Sequence, residues 1–267
     1  MRYLRTANFF GQTNQTVRLE GITLTDTEYT HEYVDWHCHE NAYFTFILQG
    51  FFIEGNKREV YHCPAGSLVF HNRQESHYNI KPEGHTRGFH IELHRKFYEK
   101  LAFDIGNLEG SFQIENPDVK LLAYKIFRET KLNDDISETA IQALILQTLE
   151  KLFRLEKDSR TKKPIWVKRL REILHDEFSV KHSLRRLADE LDIHPVHLSR
   201  DFSKHFYCNL GEYIRKIRIE KSLSLMPDKN LTLTEIAQEC GFADQSHFVR
   251  CFKHIKGIKP SEYRKLL

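Results

Sequence analysis

SLRRLADELDI at residues 183–193 and TLTEIAQECGF at residues 232–242 are one stretch written twice, 49 residues apart. HLSRDF at 197–202 then matches HFVRCF at 247–252 at an offset of 50, so the second copy carries one extra residue in its turn. A loop absorbs such an insertion and a helix does not, which makes the repeat a duplicated supersecondary unit. In each copy apolar residues at helical spacing define a short helix: Leu184, Leu187 and Leu191, then Leu233, Ile236 and Cys240. Ala188 or Ala237 is the small residue where a second helix crosses closely. Asp192 or Gly241 supplies the turn; glycine suits a positive φ and aspartate tolerates it. Ile193 or Phe242 fills the angle, and Leu198/Phe202 or Phe248/Phe252 face inward on the next helix. Each copy therefore reads as a helix-turn-helix.

Capping agrees with these boundaries. Thr232 with Glu235 and Asn209 with Glu212 have capping-box spacing, and Asp244 stands before the last recognition helix. Between the copies, Tyr213, Ile214, Ile217, Ile219, Leu223 and Leu225 predict one helix over about 210–225, a rod that sets the spacing of the two units. Upstream, KDSRTKKP at 157–164 has almost no apolar content and ends in a helix-breaking proline, so it reads as a linker. Residues 157–267 hold 23 Lys+Arg against 15 Asp+Glu, whereas 1–156 hold 17 against 22. A basic half beside an acidic half points to a polyanion bound by one domain only.

HPVHLSRDFSKHF, GEYIRKIRIEKSLSLM and LTEIAQECGFADQSHFVRCFKHIKGIKPSEYRKLL resemble the DNA-binding domain of AraC/XylS-type regulators, continuously over about 166–267. The resemblance implies a seven-helix domain that places two recognition helices in successive major grooves. Asp192 departs from the family's usual Gly or Asn, and His194 from its usual Ser. Side chains near the N-terminal end of a groove-lying helix reach base edges. Those are Val196, His197, Ser199 and Arg200 in the first unit, and Gln245, Ser246, His247 and Arg250 in the second. The arginines suit guanine, Gln245 suits adenine, and Val196 suits a thymine methyl. Arg200 and Arg250 also suit phosphate, and His197 and His247 also suit buttressing of the turn. Lys204, Arg215, Lys216 and Lys253 are expected on phosphates, which position the protein without reading sequence.

The first ~90 residues alternate apolar and polar positions in short runs broken by Gly, Pro and Asn, as in FTFIL at 44–48 before Gly50 and SLVF at 67–70 after Pro64-Ala65-Gly66. Many short strands at that spacing predict a β-sandwich or barrel. From Pro117 the period becomes helical, with helices predicted at about 117–131 and 136–155; the second suits packing on the sheet or pairing with another subunit. His37-Cys38-His39 and Pro64-Ala65-Gly66 resemble the two motifs of the cupin barrel, the usual sensor domain in one branch of these regulators. Metal-binding cupins place Glu at the position of Tyr43 and His at that of Val69, so half of that ligand set is missing. His62, His71 and His77 lie nearby but imply a changed geometry. No metal and no cofactor are expected. Trp36, His37, His39, Tyr43 and Phe46 are candidates to line a small-molecule pocket.

The fold expected is α+β: a cupin-like β-barrel or sandwich with two helices over 1–156, a linker over 157–164, and an all-α domain of seven helices over 165–267. The function expected is a sequence-specific transcription regulator, an activator by resemblance, that responds to a small molecule or partner. Its partners would be double-stranded DNA, a second copy of the chain and RNA polymerase. The alternative is a metal-dependent cupin enzyme with an attached helical domain, which the incomplete ligand set opposes. A glycine-rich phosphate loop, GxSxG and HExxH are all absent from the sequence. The five scattered cysteines form no CxxC pair and read as small core residues. No apolar run has bilayer length and the N-terminal stretch lacks a secretory pattern, so a cytoplasmic protein is expected, without membrane association.

Overall fold

The computed structural model describes residues 2–101, 108, 110–132, 134–159, 164–206 and 208–266. Two compact units divide the chain, 1–156 and 157–266.

The first unit contains β1 (Arg2–Leu4), β2 (Gln12–Leu19), β3 (Ile22–Glu28), β4 (Tyr33–His39), β5 (Ala42–Gln49), β6 (Phe51–Asn56), β7 (Val60–Pro64), β8 (Leu68–His71), β9 (His77–Ile80), β10 (Arg87–Leu93) and β11 (Ser111–Gln113). Its helices are α1 (Arg95–Lys100), α2 (Pro117–Leu132) and α3 (Ser137–Ser159). Helix α1 adds a third helix to the two expected, and α3 extends through residues 157–159, which the sequence reading gave to a linker. The strands form two sheets, ordered β1-β4-β9-β6-β7 and β11-β8-β5-β10-β3-β2.

Neither sheet closes, and this corrects the cupin-like barrel. Closure requires every strand to be paired on both sides. Here β1 and β7 end one sheet, and β11 and β2 end the other. The His-x-His and Pro-x-Gly spacings are local features of a strand and a turn, and they carry no information on whether two distant edges meet. With the barrel goes the cupin-enzyme alternative built on it.

Strand β5 shows how the layers are arranged. All of Ala42–Leu48 is buried, because both faces of this central strand are covered. In the antiparallel ladder Phe46 lies opposite Phe89, and Phe89 meets Phe127 of α2 at 5.3 Å, so this face packs on helix. Tyr43 and Thr45 project the other way, beside His71 and His90 of the neighbouring strands, toward the second sheet. The space between the sheets is consequently polar: His37, His39, Glu54, His71, His77, His90 and Glu92 are all buried there or next to it.

The second unit is all-α: α4 (Ile165–Asp176), α5 (Leu184–Glu190), α6 (Pro195–Phe206), α7 (Leu210–Leu225), α8 (Leu233–Glu239), α9 (Gln245–Lys256) and α10 (Pro260–Leu266). Helices α5–α6 and α8–α9 are the two helix-turn-helix units, joined by α7. Ala188 and Ala237 are fully buried at the helix crossings. Ser183 caps α5, Asn209 caps α7 and Asp244 caps α9, each accepting from the backbone three residues on, while Thr232 and Glu235 complete a reciprocal capping box. Both turns take positive φ, +53° at Asp192 and +75° at Gly241. The core of the first helix-turn-helix joins Leu187, Leu191, Leu198 and Phe202 to Val167, Leu170 and Leu174 of α4 and to Tyr213 and Ile217 of α7. No helix among the described residues is long and apolar enough to cross a membrane.

Candidate nucleic-acid interface

Helix α6 turns Leu198, Phe202 and Phe206 inward and leaves Val196, His197, Ser199 and Arg200 exposed over its first turns. Val196 is 63% exposed. Helix α9 repeats the pattern: Phe248 and Phe252 are buried, and Gln245, Ser246, Arg250 and Lys253 are exposed. His247 is half-buried, its ring edge-on to Phe242 at 5.5 Å.

The two readers differ in how their polar groups are held. Arg200 donates to Asp201 at 3.0 and 3.2 Å and to His197 Nδ1 at 3.0 Å. Lys204 donates to the same Asp201 at 2.8 Å. These hydrogen bonds hold the Asp201 carboxyl well below the usual carboxylate range. At the matching position beside Arg250 the second unit has Cys251, which carries no charge at neutral pH. Arg215 of α7 joins His247, Arg250, Cys251, His254 and Ile255 around a shallow concavity. Lys216 pairs with Glu212 at 3.0 Å with its side chain only 13% exposed. The Gln245 side-chain carbonyl accepts from Thr234 at 2.6 Å, which ties the last reader to α8.

Three features escaped the sequence reading. Asp201 was visible as an acid adjacent to Arg200. His254 lies four residues after Arg250, one turn along the same face. Arg218 carries no local signal, because its partners are distant: it donates to the carbonyls of Phe178, Ser179, Val180 and Gly241 and lies 6.0 Å over the Phe242 ring. It thereby fastens the α7 rod to the turn of the second unit.

Of the pocket candidates in the first unit, His37, His39 and Tyr43 line one cavity, together with Phe9, Thr45, Glu54 and His90. Trp36 and Phe46 are not among its lining residues. Trp36 is half-buried and edge-on to Tyr78 at 5.1 Å; Phe46 belongs to the helix-facing side of β5. The ring of Phe9 lies flat on His90 at 3.6 Å, and Tyr43 stacks on His71 at 4.2 Å. Burial pushes His77 and His90 down to about 3 and His39 and His71 well below the usual imidazole value. Burial likewise pushes the Glu54 carboxyl up to about 8. Neutral imidazoles therefore line this interior.

The family model described as "Helix-turn-helix domain" matches residues 187–266. The uncharacterised HTH-type transcriptional regulator YpdC of Escherichia coli (strain K12) is 32% identical over 90 residues, which are 34% of this chain and 32% of that protein. The Msm operon regulatory protein of Streptococcus mutans is 26% identical over 138 residues, 51% of this chain and 49% of that protein. The matches thus span a third to a half of these curated relatives. ToxT from Vibrio cholerae, a solved structure, aligns over 92% of this chain and 99% of its own at 15% identity, with a TM-score of 0.39. The C-terminal unit is a helix-turn-helix domain of the kind carried by transcriptional regulators.

Proposed function

We propose that the chain is a sequence-specific transcription regulator that reads double-stranded DNA with α6 and α9. One observation carries this reading: two capped helix-turn-helix units, both exposing polar side chains from the first turns of their second helix, are fixed to a single rod. Arg250 and Gln245 would read bases from the second unit, with Val196, Ser199 and Arg200 reading from the first. Lys204, Arg215, Lys216 and Lys253 would hold phosphates. His197 supports Arg200, and His247 buttresses Phe242 beside the Arg250 surface.

The finer reading is an activator acting as a homodimer, with RNA polymerase as a further partner and the first unit as the sensor of an effector. Ile141, Ile145, Leu149 and Leu152 of α3 are buried in the single chain, while Leu146 is 37% exposed and open to a second copy. Sedimentation of the chain alone and on DNA tests the dimer; a monomer in both conditions removes it.

The DNA-reading test is Arg250→Ala. A selected duplex and a scrambled one are titrated at one stated salt concentration, since affinities without it have no meaning. Loss of a bidentate guanine contact costs about 1–3 kcal/mol on the selected site and much less on the scrambled one. Equal loss on both removes Arg250 from the base-reading set.

A further inference from the structure

We propose that His37, His39 and His77 form a binding site for one divalent transition-metal ion of the zinc type. The argument begins with the sheet. His37 on β4 lies directly opposite His77 on the antiparallel β9, and His39, two residues along β4, shares their face. Pleat geometry alone therefore brings three imidazoles together on rigid backbone, and one ligand atom from each lies within 4.8 Å of the others. Two nitrogens on one tetrahedral zinc ion stand roughly 3.4 Å apart, given Zn–N bonds of about 2.0–2.1 Å. Small side-chain rotations close the difference.

The tautomers are set for ligation. His37 Nδ1 donates to the carbonyl of Asp35 at 2.8 Å, and His77 Nδ1 donates to the carbonyl of Glu75 at 3.1 Å. A carbonyl only accepts, so in both rings the proton sits on Nδ1 and the lone pair on Nε2. This is the outer-shell arrangement that orients metal-ligating histidines. His39 Nδ1 is fully buried with no hydrogen-bond partner, a state that costs desolvation energy unless a further group meets it. Three neutral imidazoles also form a donor set suited to zinc, copper, nickel and iron.

His37 and His39, but not His77, also line a cavity of about 30 Å³, room for a water-sized guest. The Tyr43 hydroxyl donates to His77 Nε2 at 2.9 Å, so this hydrogen bond is exchanged for the metal bond when the ion binds. The set therefore departs from the carboxylate-containing pattern against which the sequence was compared, and it uses a histidine from a strand that pattern did not point to. The inference is independent of whether the C-terminal unit reads DNA.

The test uses the full chain, stripped with a chelator and titrated with zinc chloride by calorimetry, with elemental analysis after gel filtration. One equivalent per chain is expected. Imidazole ¹⁵N shifts of His37, His39 and His77 in the unaltered chain should move on saturation, which needs no variant to fold. His39→Ala and His77→Gln, checked for folding by circular dichroism, should each weaken binding by more than about 100-fold, the upper range for loss of an outer-shell partner alone. His62→Ala, on the exposed face of β7, should not change it. Absence of stoichiometric uptake, unmoved ¹⁵N shifts, or unchanged affinity in folded His39→Ala each overturns the proposal.

Discussion

Gly241→Ala should be among the more damaging single-methyl changes in the second unit. The position has φ +75°, which costs an L-residue about 1–2 kcal/mol. It is also crowded: an added Cβ would come within 2.6 Å of the Ser179 Cα and 2.8 Å of its carbonyl carbon, and closer still to its carbonyl oxygen. Backbone cannot rotate aside as a side-chain tip does, so the α8–α9 turn and the segment after α4 must move apart. Overpacking of this kind costs about 1–3 kcal/mol. Alanine recovers about 0.4–1 kcal/mol by restricting the unfolded chain. The net expectation is a loss of about 2–4 kcal/mol.

The movement also pulls the Gly241 carbonyl from Arg218, so the rod loses one of its attachments to the second reader. Urea unfolding followed by helical circular dichroism and by Trp166, which packs on the helical core, reads the change in a Trp36→Phe background. With a slope of about 1–3 kcal/mol/M, the midpoint should fall by on the order of 1–2 M. The matched control is Asp192→Gly, where φ is +53° and the same swap runs the other way; it should stay within about 1 kcal/mol of the parent. A cost below about 1 kcal/mol for Gly241→Ala would show that Ser179 yields freely and that the close approach does not explain the glycine.

Two further outcomes follow from the charge arrangement. Asp201→Asn frees Arg200 and Lys204 from their shared carboxylate, so DNA affinity should rise and log K against log salt should steepen by about 0.9 for each cation that reaches a phosphate; unchanged affinity and slope would mean that Asp201 does not compete with DNA. Asp26, with its side chain 2% exposed, is penalised by burial, but hydrogen bonds and charge from Arg87 and Lys131, both at 2.7 Å, outweigh this and lower its pKa. A carboxyl depressed on folding contributes stability above its unfolded value, about 3.9, which is lost as pH falls through the folded value. Asp26→Asn should therefore cost about 3 kcal/mol at neutral pH and flatten the acid side of the stability profile, and an unaltered acid limb would count against the triad.

The helical unit was legible because its determinants are local. Caps lie three residues from the groups they satisfy, apolar positions repeat within one turn of helix, and Asp192 and Gly241 mark their turns by residue type. The sheets were legible only as strands. His37 and His39 are two apart and visibly share a face, but His77 joins them through a ladder between β4 and β9 that no local pattern encodes. The FTFIL run hid its own faces for a related reason: β5 is buried on both sides, so hydrophobicity did not separate Tyr43 and Thr45, which face the cavity, from Phe44 and Phe46, which do not. The open sheet edges were beyond reach in the same way, since closure depends on strands far apart in the chain.

The two units place their polar chemistry on opposite sides of their surfaces. In the helical unit the core is apolar, and the groups able to recognise a partner stand outside on α6 and α9, as a rod-like polyanion requires. In the sheet unit His39 Nδ1 and His71 Nε2 are fully buried without hydrogen-bond partners, while His71 Nδ1 lies 3.3 Å from a Glu54 carboxyl oxygen. Each such atom costs about 1–3 kcal/mol, and an apolar residue of similar volume would avoid that cost. A fold stabilised only for its own sake would not concentrate them between its two sheets. His39 lines the small cavity, where the proposed metal ion would give its Nδ1 a partner.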